Sequence, residues 1–600
     1  MERKTNDGKF RSGISFFSST SSVFGWKMLA LFLLVAYVPF LGDRMVRPAG
    51  DDKVYVSQVM EMIAHGDWFV QTLGEIPNYY KGPGHYLLLR AGVAFFGFSM
   101  WATTYMNLLL VILGAAAIGS LVQNRMREFE GWAFWAGAAF ALNAGIFAHM
   151  FASQMEVEMA SFFAIGLYLL DRAGPGKGDL RFWLVAGLLG WLKSPLHSVL
   201  LGSTAIIFWA WNGELFPRLK SASAWTAALS GIAVCALGYA PAFLIDRENF
   251  IMTYVYRETL WKPPNGSSWY YPVIPIFSYY LLPWMLPAFV AFADAVTRRW
   301  RPQRAVQSTP GSRRLVALGV SLVIPSVAFF IYHPYRGQNY DLPIIGGIIV
   351  WLAAIWATRA PNWTKFYSAA LGLTAFLLLV IPLAFTYVVQ RFNPMPFWWP
   401  SWQLPVLWIG AILTARGFWR EGVTFQAARP SALARRYIWF LLAFSTFLST
   451  LGNREMIDIR DRIYAATKNG ERLNLSYYNL QRNIWSEWGY LNFMIPYPTR
   501  GLFTIEDLKR AVNANDLILV PGEEWLQQMH LDLDPIYPNA IWEIEPWKRW
   551  KTKGKNAAGQ PAWKEAWDTQ NLSRLERDFY MVRVKPNLQI LPGAAHKRSR

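Results

Sequence analysis

Two adjacent carboxylates, Asp51 and Asp52, open an amphipathic stretch that begins just beyond an apolar segment of membrane-spanning length. Acidic side chains are stabilising at the N-terminus of a helix, so capping is one explanation for the pair. The other explanation is chemical, because a positioned carboxylate can accept the proton of an attacking hydroxyl group. A catalytic pair would need partner groups in other loops on the same side of the membrane.

Three loops predicted on that side each carry a positively charged residue. The loops are "PNYYKGPGHY", "YVYRETLWKPPNGSSWYYP" and "YHPYRGQNYDLP". Their candidate residues are Lys81, Arg257, Glu258, Lys262, Arg336 and Tyr340. Cations next to a membrane span are commonly interfacial anchors. Brought together, they would instead hold a phosphate group while a carboxylate accepts a proton.

Three charged residues at the ends of apolar segments extend this set. Glu156 and Glu158 fall at the predicted outer end of the fourth span, where they either line a cleft or form a solvated interfacial pair. Lys193 lies between two apolar segments, and a cation at the membrane edge is a candidate for contact with a lipid phosphate. Three isolated histidines are assigned to the interface rather than to catalysis: His85, His149 and His333.

The composition is that of a membrane protein. Of the 600 residues, 54% are hydrophobic and 16% are charged, with 31 Trp and 27 Tyr, residue types that are enriched at membrane–water interfaces. The net charge of +19 does not indicate nucleic-acid binding, because the basic residues fall in short loops between apolar segments. The single cysteine, Cys235, excludes disulfides and cysteine-based metal sites within the chain.

About thirteen apolar segments are long enough to cross the hydrocarbon core as helices. They are 26–42, 100–122, 131–150, 154–171, 181–194, 196–212, 222–245, 270–297, 315–332, 341–358, 367–389, 402–418 and 436–452. Lys and Arg are concentrated in the loops that face the cytoplasm if the N-terminus lies inside. The first segment has no small-residue cleavage site after it, so it is predicted to be retained as a span.

The expected fold class is an α-helical polytopic membrane protein with a C-terminal extracytoplasmic α/β domain. Residues 1–452 would form the membrane domain, with amphipathic helices on its outer face at 51–66 and 83–98. In the first of these helices, the stripe of Tyr55, Val59 and Met62 is predicted to face lipid. Residues 453–600 would form the periplasmic α/β domain with a disordered tail, because "ERLNLSYYNL" and "NDLILVPGEEW" indicate strands and "TIEDLKRAVNA" a capped helix.

The chain from 26 to 450 resembles the polyprenyl-phosphate-sugar glycosyltransferases of the GT-C fold. This family includes the protein O-mannosyltransferases and the bacterial enzymes that attach aminoarabinose to lipid A. The matching first-loop motif comprises Asp51-Asp52, Tyr55, Gly66-Asp67-Trp68 and Lys81. Three further segments match in order: "GWLKSPLHSVL", "YYPVIPIFSYYLLPW" and "RGQNYDLP".

The resemblance implies transfer of a sugar from a polyprenyl (undecaprenyl) phosphate donor, with inversion, at the outer face of the bacterial inner membrane. Asp51 would deprotonate the acceptor hydroxyl, with Asp52 beside it. The donor phosphate would be bound by Lys81 and Lys262, helped by Arg336, Tyr340 and Lys193. Tyr55, Glu156, Glu158, Arg257 and Glu258 are possible cleft residues. The acceptor would be lipid A, its core or another envelope lipid, and no nucleotide or other cofactor is expected.

Several positions depart from the family pattern. The acidic pair is Asp-Asp where the family usually has Asp-Glu. Tyr80 and Thr259 stand where the lipid A enzymes have two possible metal ligands, so no structural zinc is expected. "KGP" at 81–83 replaces "KP", which is predicted to loosen the local backbone. These changes bear on donor identity more than on the type of reaction.

Three other functions are compatible with parts of the sequence. A protein Ser/Thr acceptor would make the chain a protein O-mannosyltransferase-like enzyme. A polyprenyl-lipid flippase or transporter would also bind phosphate, but such proteins place charges at the membrane midplane and often carry internal repeats, which are not seen in this sequence. A sensor or assembly protein would leave the residues around Asp51 without a role.

Overall fold

The computed structural model describes most of the chain and the account below is confined to it. The described ranges are 23–41, 52–73, 76–79, 81–129, 131–151, 153–173, 179–260, 268, 270, 273–300, 309–333, 340–359, 361–392, 402–423, 430–451, 474–478, 499–502, 504–550, 561–571 and 576–586.

Nineteen α-helices lie in the described part of residues 23–451. They are α1 Val23–Tyr37, α2 Asp52–Ala64, α3 Pro83–Phe96, α4 Met100–Arg125, α5 Trp132–Ala141, α6 Ala144–Met150, α7 Met155–Arg172, α8 Leu180–Leu192, α9 Pro195–Trp211, α10 Leu215–Leu219, α11 Ala222–Ile245, α12 Arg247–Phe250, α13 Val273–Pro275, α14 Met285–Trp300, α15 Pro310–Tyr332, α16 Ile345–Ala357, α17 Thr364–Arg391, α18 Gln403–Val423 and α19 Pro430–Leu451. Helices α12 and α13 continue as π-helical turns at Ile251–Leu260 and Ile276–Tyr280, and a short hairpin, β1 Thr72–Leu73 with β2 Ile76–Pro77, follows α2.

Helices lie at each segment predicted to span the membrane. Within the described ranges, four of them (α4, α11, α15 and α17) are long and apolar enough to cross a membrane. Two bent pairs also qualify if each is taken as one span, which gives up to six. The multi-pass architecture is thus supported, while the count of about thirteen stays a prediction.

Two predicted spans, 131–150 and 270–297, are broken rather than continuous. Helices α5 and α6 meet at an angle of 49°, and the segment Val273–Tyr280 meets α14 at 114°. The breaks pack against each other, because the Ala144 amide donates to the Leu282 carbonyl at 2.9 Å. Asn143 caps α6 by accepting from the Ile146 amide at 2.9 Å. Backbone groups freed by a break inside a membrane protein must be satisfied within the protein, and these contacts do so.

Helix α2 is covered by protein, so the prediction that its apolar stripe faces lipid is wrong. Tyr55, Val59 and Met62 are each no more than 1% exposed and form a cluster with Tyr86 and Leu89 of α3 and Met155 of α7. The pattern identified the stripe but not what it contacts, since a helix periodicity shows only that one face is apolar.

Helix α3 combines a buried beginning with an exposed end. Its first residues are buried, while Phe95 is 81% exposed. Arg90 donates to the Met62 carbonyl at 2.9 Å, and its guanidinium lies 4.0 Å from the ring centre of Trp68. The arginine that suggested an interfacial helix therefore fastens α3 to the end of α2.

The described C-terminal residues form a five-stranded sheet with helices packed on it. Its strands are β3 Leu475–Tyr478, β4 Thr499–Leu502, β5 Leu517–Val520, β6 Ile541–Trp550 and β7 Glu576–Lys585, in the order β4-β3-β5-β7-β6. The pairs β3–β4 and β3–β5 are parallel, and β5–β7 and β6–β7 are antiparallel. Helix Ile505–Asn513 starts with a capping box between Thr504 and Asp507, and helices Glu523–Leu533 and Ala562–Thr569 follow it.

Close packing of α3 on α4 can be tested at Gly92. A Cβ atom there would lie 2.3 Å from the Ala102 carbonyl oxygen, so Gly92→Ala should destabilise the protein by about 1–3 kcal/mol, as overpacking does. Gly25→Ala in α1 is the matched control, because nothing lies within 4 Å of its Cβ position. Thermal unfolding of both full-length variants in detergent is the measurement. Equal unfolding temperatures for the two would contradict the α3–α4 contact.

Candidate functional site

One cavity collects candidate residues from four separate parts of the sequence. It lies between the loop before α3, the link from α8 to α9, the π-helical turn after α12, the end of α15 and the residue Tyr340 before α16. Its lining residues are Lys81, Lys193, Ser194, Leu196, His197, Tyr254, Glu258, Phe329, Phe330, His333 and Tyr340. Four of these were candidates from the sequence: Lys81, Lys193, Glu258 and Tyr340. The structure thus brings together residues that are far apart in the chain.

Lys193 is fixed where α8 ends and α9 begins. Its ammonium donates to a Glu156 carboxylate oxygen at 2.9 Å and lies 3.9 Å from the ring centre of Tyr340. Both ion-pair partners are buried, with Lys193 6% and Glu156 4% exposed. Glu156 is therefore not part of a solvated interfacial pair. An ammonium carries three N–H donors, and the bond to Glu156 uses one of them.

Lys81 is also buried, at 5% exposure, and its ammonium lies 3.3 Å from a Glu258 carboxylate oxygen. Its loop is held through the backbone on both sides. The Gln71 side-chain amide donates to the Lys81 carbonyl at 3.2 Å, and the Gly82 amide donates to the Lys193 carbonyl at 3.1 Å. These contacts place the two lysines on neighbouring backbone segments.

Gly82 tightens this loop, contrary to the expectation that "KGP" loosens it. A Cβ atom at Gly82 would lie 2.3 Å from the Trp191 carbonyl oxygen, so only glycine lets the loop approach the end of α8 this closely. Pro83 then starts α3 at a position where its missing N–H costs nothing.

Histidines are the functional candidates that sequence reasoning missed. His197 and His333 both line the cavity, and the Nδ1 of His197 lies 3.1 Å from the Ser194 hydroxyl oxygen. Lys193 follows the end of α8 and His197 lies in the first turn of α9, so both reach the cavity from the break between the two helices. No local signal in the sequence indicated this, because His197 falls inside a predicted apolar span. The assignment of His333 to the interface overlooked this cavity.

A second buried pair adjoins this region, formed by His85 of α3 and Glu158 of α7. The Nδ1 of His85 lies 3.0 Å from a Glu158 carboxylate oxygen, and the two residues are 1% and 2% exposed. The Tyr55 ring packs edge-on against the His85 ring at 5.1 Å between centres. His85 is therefore not an isolated interfacial residue, and Glu158 is not solvated. Tyr55 and Glu158 do not line the cavity.

Tyr254 contributes a neutral hydroxyl to the cavity wall. Burial raises the pKa of this phenol, so it stays protonated. Its hydroxyl donates to the Tyr239 hydroxyl at 2.7 Å, which in turn donates to the Gly190 carbonyl at 2.6 Å. This chain of bonds ties the π-helical turn that carries Glu258 to the end of α8.

Several predicted residues are not placed in the cavity. Asp51, Lys262 and Arg336 lie outside the described residues, and only the backbone of Asp52, the first residue of α2, is described. Arg257 is exposed and does not line the cavity. Within the described ranges, no three His, Cys, Asp or Glu side chains are grouped to hold a metal ion. The expectation that the protein has no metal stays a prediction.

The cavity suits a small anion. Its volume of about 60 Å³ has room for roughly four to six water-sized groups, which corresponds to one phosphate group rather than a sugar on a lipid. Two ammonium groups, two imidazoles, two phenols and the Glu258 carboxylate line it. The fixed ammonium groups can bind a phosphate group, with Glu258 as a counter-charge beside it.

Comparison with known proteins supports the resemblance seen in the sequence. No protein-family model matches this chain. The undecaprenyl phosphate-alpha-4-amino-4-deoxy-L-arabinose arabinosyl transferase 2 of Proteus mirabilis (strain HI4320) is 21% identical over 416 residues, 65% of this chain and 70% of that protein. The crystal structure of ArnT from Cupriavidus metallidurans bound to undecaprenyl phosphate has a TM-score of 0.64 at 14% identity, over 93% of this chain and 98% of that one. The apo state of the same protein has a TM-score of 0.62 at 13% identity. The predicted resemblance to lipid A aminoarabinose transferases is confirmed, and the solved structures show a shared fold.

The buried Lys193–Glu156 pair can be tested by charge removal. Glu156→Gln leaves a buried ammonium without its counter-charge, which should cost about 3–5 kcal/mol of stability. The double variant Glu156→Gln with Lys193→Met removes both charges and should recover most of that loss. Unfolding temperatures of the full chain in detergent give the measurement.

The matched control for this test is an exposed pair. Lys509 and Glu506 lie 2.7 Å apart on the surface of helix Ile505–Asn513, and Glu506→Gln should change stability by less than about 1 kcal/mol. A double variant that is no more stable than Glu156→Gln alone would show that the pair is not the reason for the loss.

Proposed function

We propose that this protein is an integral-membrane glycosyltransferase that moves a sugar from a polyprenyl (undecaprenyl) phosphate donor to lipid A or its core on the periplasmic face. The observation that carries the proposal is the cavity in which Lys81 and Lys193 converge with Tyr340. The similarity to an arabinosyl transferase and the shared fold with ArnT bound to undecaprenyl phosphate support the same reaction class.

In this proposal the cavity binds the donor phosphate. Lys81 and Lys193 supply positive charge, and Tyr340 packs against the Lys193 ammonium. As the bond between sugar and phosphate breaks, negative charge develops on the phosphate oxygens, and fixed cations stabilise that charge without having to reorganise. The phosphate then leaves as polyprenyl phosphate. Lys262 and Arg336 are proposed to complete the phosphate site from the loops on the same side.

Asp51 is proposed as the base that takes the proton of the acceptor hydroxyl, with Asp52 next to it. The position of α2 supports this, because Asp51 directly precedes a helix that packs on α3 beside the His85–Glu158 pair. An acid at this place can meet the acceptor while the cations hold the donor, and the hydroxyl then attacks the anomeric carbon from the side opposite the leaving phosphate.

The C-terminal residues 453–600 are proposed to form a periplasmic domain that covers the site and helps to select the acceptor. Arg391, at the end of α17, donates to the Trp567 carbonyl at 3.1 Å and stacks over its ring at 4.8 Å. This contact attaches the C-terminal region to the end of a span that loop charge predicts to be periplasmic.

Loss of a cavity lysine should weaken donor binding. Lys81→Met removes one charged hydrogen-bond donor, and the affinity for undecaprenyl phosphate should fall roughly tenfold to a hundredfold. Binding of undecaprenyl phosphate to the full chain in detergent is the measurement. Arg247→Ala, which removes an exposed cation in the same predicted loop region as Glu258, should leave the affinity unchanged. Equal affinities for the two variants would contradict the phosphate site.

Loss of the base should stop transfer but not binding. Asp51→Asn removes the proton acceptor, so transfer should fall by at least about a hundredfold, while membrane insertion and undecaprenyl phosphate affinity are retained. Mass spectrometry of extracted lipid A and of digested envelope proteins, from cells with the native chain and with the variant, identifies the sugar and the acceptor.

Lipid A and the envelope peptides, analysed separately, distinguish a lipid acceptor from a protein acceptor. A sugar increment that disappears from lipid A supports the proposal. The same loss from peptides identifies a protein acceptor instead. Full activity of Asp51→Asn would rule out the proposed base.

A further inference from the structure

Two adjoining cavities rich in arginine lie away from the candidate site. One has a volume of about 460 Å³ and the other about 450 Å³. Arg125 and Arg314 line both of them. The other charged lining residues are Arg127, Arg172, Arg313, Asp171 and Glu214. Five arginines therefore face two acids.

These cavities, called here the arginine cavities, lie at the opposite ends of the helices that form the candidate site. Helix α7 has Glu156 at its first turn and Asp171 at its last, about 22 Å apart along the axis. Helix α15 has Arg314 in its first turns and is followed by His333. Helix α9 has His197 in its first turn and ends at Trp211. If the candidate site is periplasmic, the arginine cavities open towards the cytoplasm.

The two acids are already engaged by arginines that hold the helices together. Asp171 accepts from Arg125 at 2.8 Å and from Arg314 at 3.0 Å. Glu214 accepts from Arg314 at 2.9 Å and from Arg218 at 3.2 Å. Asp171 and Glu214 are 3% and 7% exposed, so this network is structural.

The remaining positive charge is at the solvent side of the cavities. Arg127, Arg172 and Arg313 are exposed and have no carboxylate partner within the described residues. A concentration of arginines around a concave surface is suited to phosphate oxygens, which accept hydrogen bonds in the fork geometry of the guanidinium group.

We propose that the arginine cavities bind the phosphate headgroup of an anionic phospholipid. The apolar residues at the rim favour a lipid over a free ion. Trp211, which lines one cavity, is 57% exposed, and Phe216 on the neighbouring α10 is 74% exposed. Basic pockets between spans on the cytoplasmic side are suited to such headgroups, and aromatic side chains at the same depth contact the adjoining part of the acyl chains.

The cavities share no residue with the candidate site, so this inference rests on the proposed function only for the side of the membrane that they face. A lipid bound here would link the ends of α4, α7, α9 and α15, the helices that also carry or support Glu156, His197 and His333. Its binding should therefore stabilise the folded protein, because a ligand that binds only the native state raises the unfolding temperature.

The test compares a cavity variant with a charge-matched control. Arg127→Ala with Arg313→Ala removes two cavity arginines that lie outside the Asp171–Glu214 network. Arg416→Ala with Arg435→Ala removes two exposed arginines from α18 and α19 at the predicted cytoplasmic side. Native mass spectrometry and thermal unfolding of the full chain in detergent are run with dioleoyl phosphatidylglycerol, dioleoyl phosphatidylcholine and inorganic phosphate as separate probes.

Phosphatidylglycerol should bind the native chain and the control variant and raise the unfolding temperature of both. Its affinity for the cavity variant should be lower by roughly tenfold or more. The unfolding temperature of each variant without lipid establishes that the variant is folded. If the alanine variant of the cavity does not fold, Arg127→Gln with Arg313→Gln is used in its place. Equal loss in the control, or equal binding of phosphatidylcholine, would overturn the proposal. Equal stabilisation by inorganic phosphate would identify a free-anion site and exclude the lipid assignment.

Discussion

The cost of burying an unpaired charge governs how this protein is built. The carboxylates of Glu156 and Glu258 lie beside the ammonium groups of Lys193 and Lys81, and the Glu158 carboxylate lies beside the His85 ring. A charge in such surroundings is expensive without a partner, and in these three pairs the partner comes from a different helix or loop. The pairs therefore fix where α3, α7 and the start of α9 lie, and two of them hold Lys81 and Lys193 at the cavity.

An anion entering the candidate site meets cations that already have counter-charges. Binding then adds a negative group to a nearly balanced cluster, and the affinity depends on how many spare N–H donors the ammonium groups can offer. Such a balance suits a site from which phosphate must leave after each turnover. A site with unopposed lysines would hold the product more tightly and release it more slowly.

The sequence predicted well where helices and several cavity residues lie along the chain. It predicted poorly which residues surround them in the folded protein. Helix positions followed from apolar segments, and Lys81, Lys193, Glu258 and Tyr340 were identified because motif order placed them on one side. The breaks at Asn143 and Leu282 were missed, since an apolar segment looks the same whether the helix within it is straight or bent. The Tyr55 stripe and the Glu156–Lys193 pair depend on long-range packing, which no local pattern encodes. His197 was missed because it lies inside an apolar segment, and its place at the cavity depends on the break between α8 and α9.

The meeting of the two broken helices also affects how the chain enters the membrane. The Ala144 amide finds its acceptor on Leu282, which is synthesised only after several later helices have been made. Until then the bend between α5 and α6 exposes polar backbone that lipid cannot satisfy. The Ala144 amide therefore gains this acceptor only once the segment before α14 has been made. Biogenesis, and not only the finished fold, places a demand on this stretch of the chain.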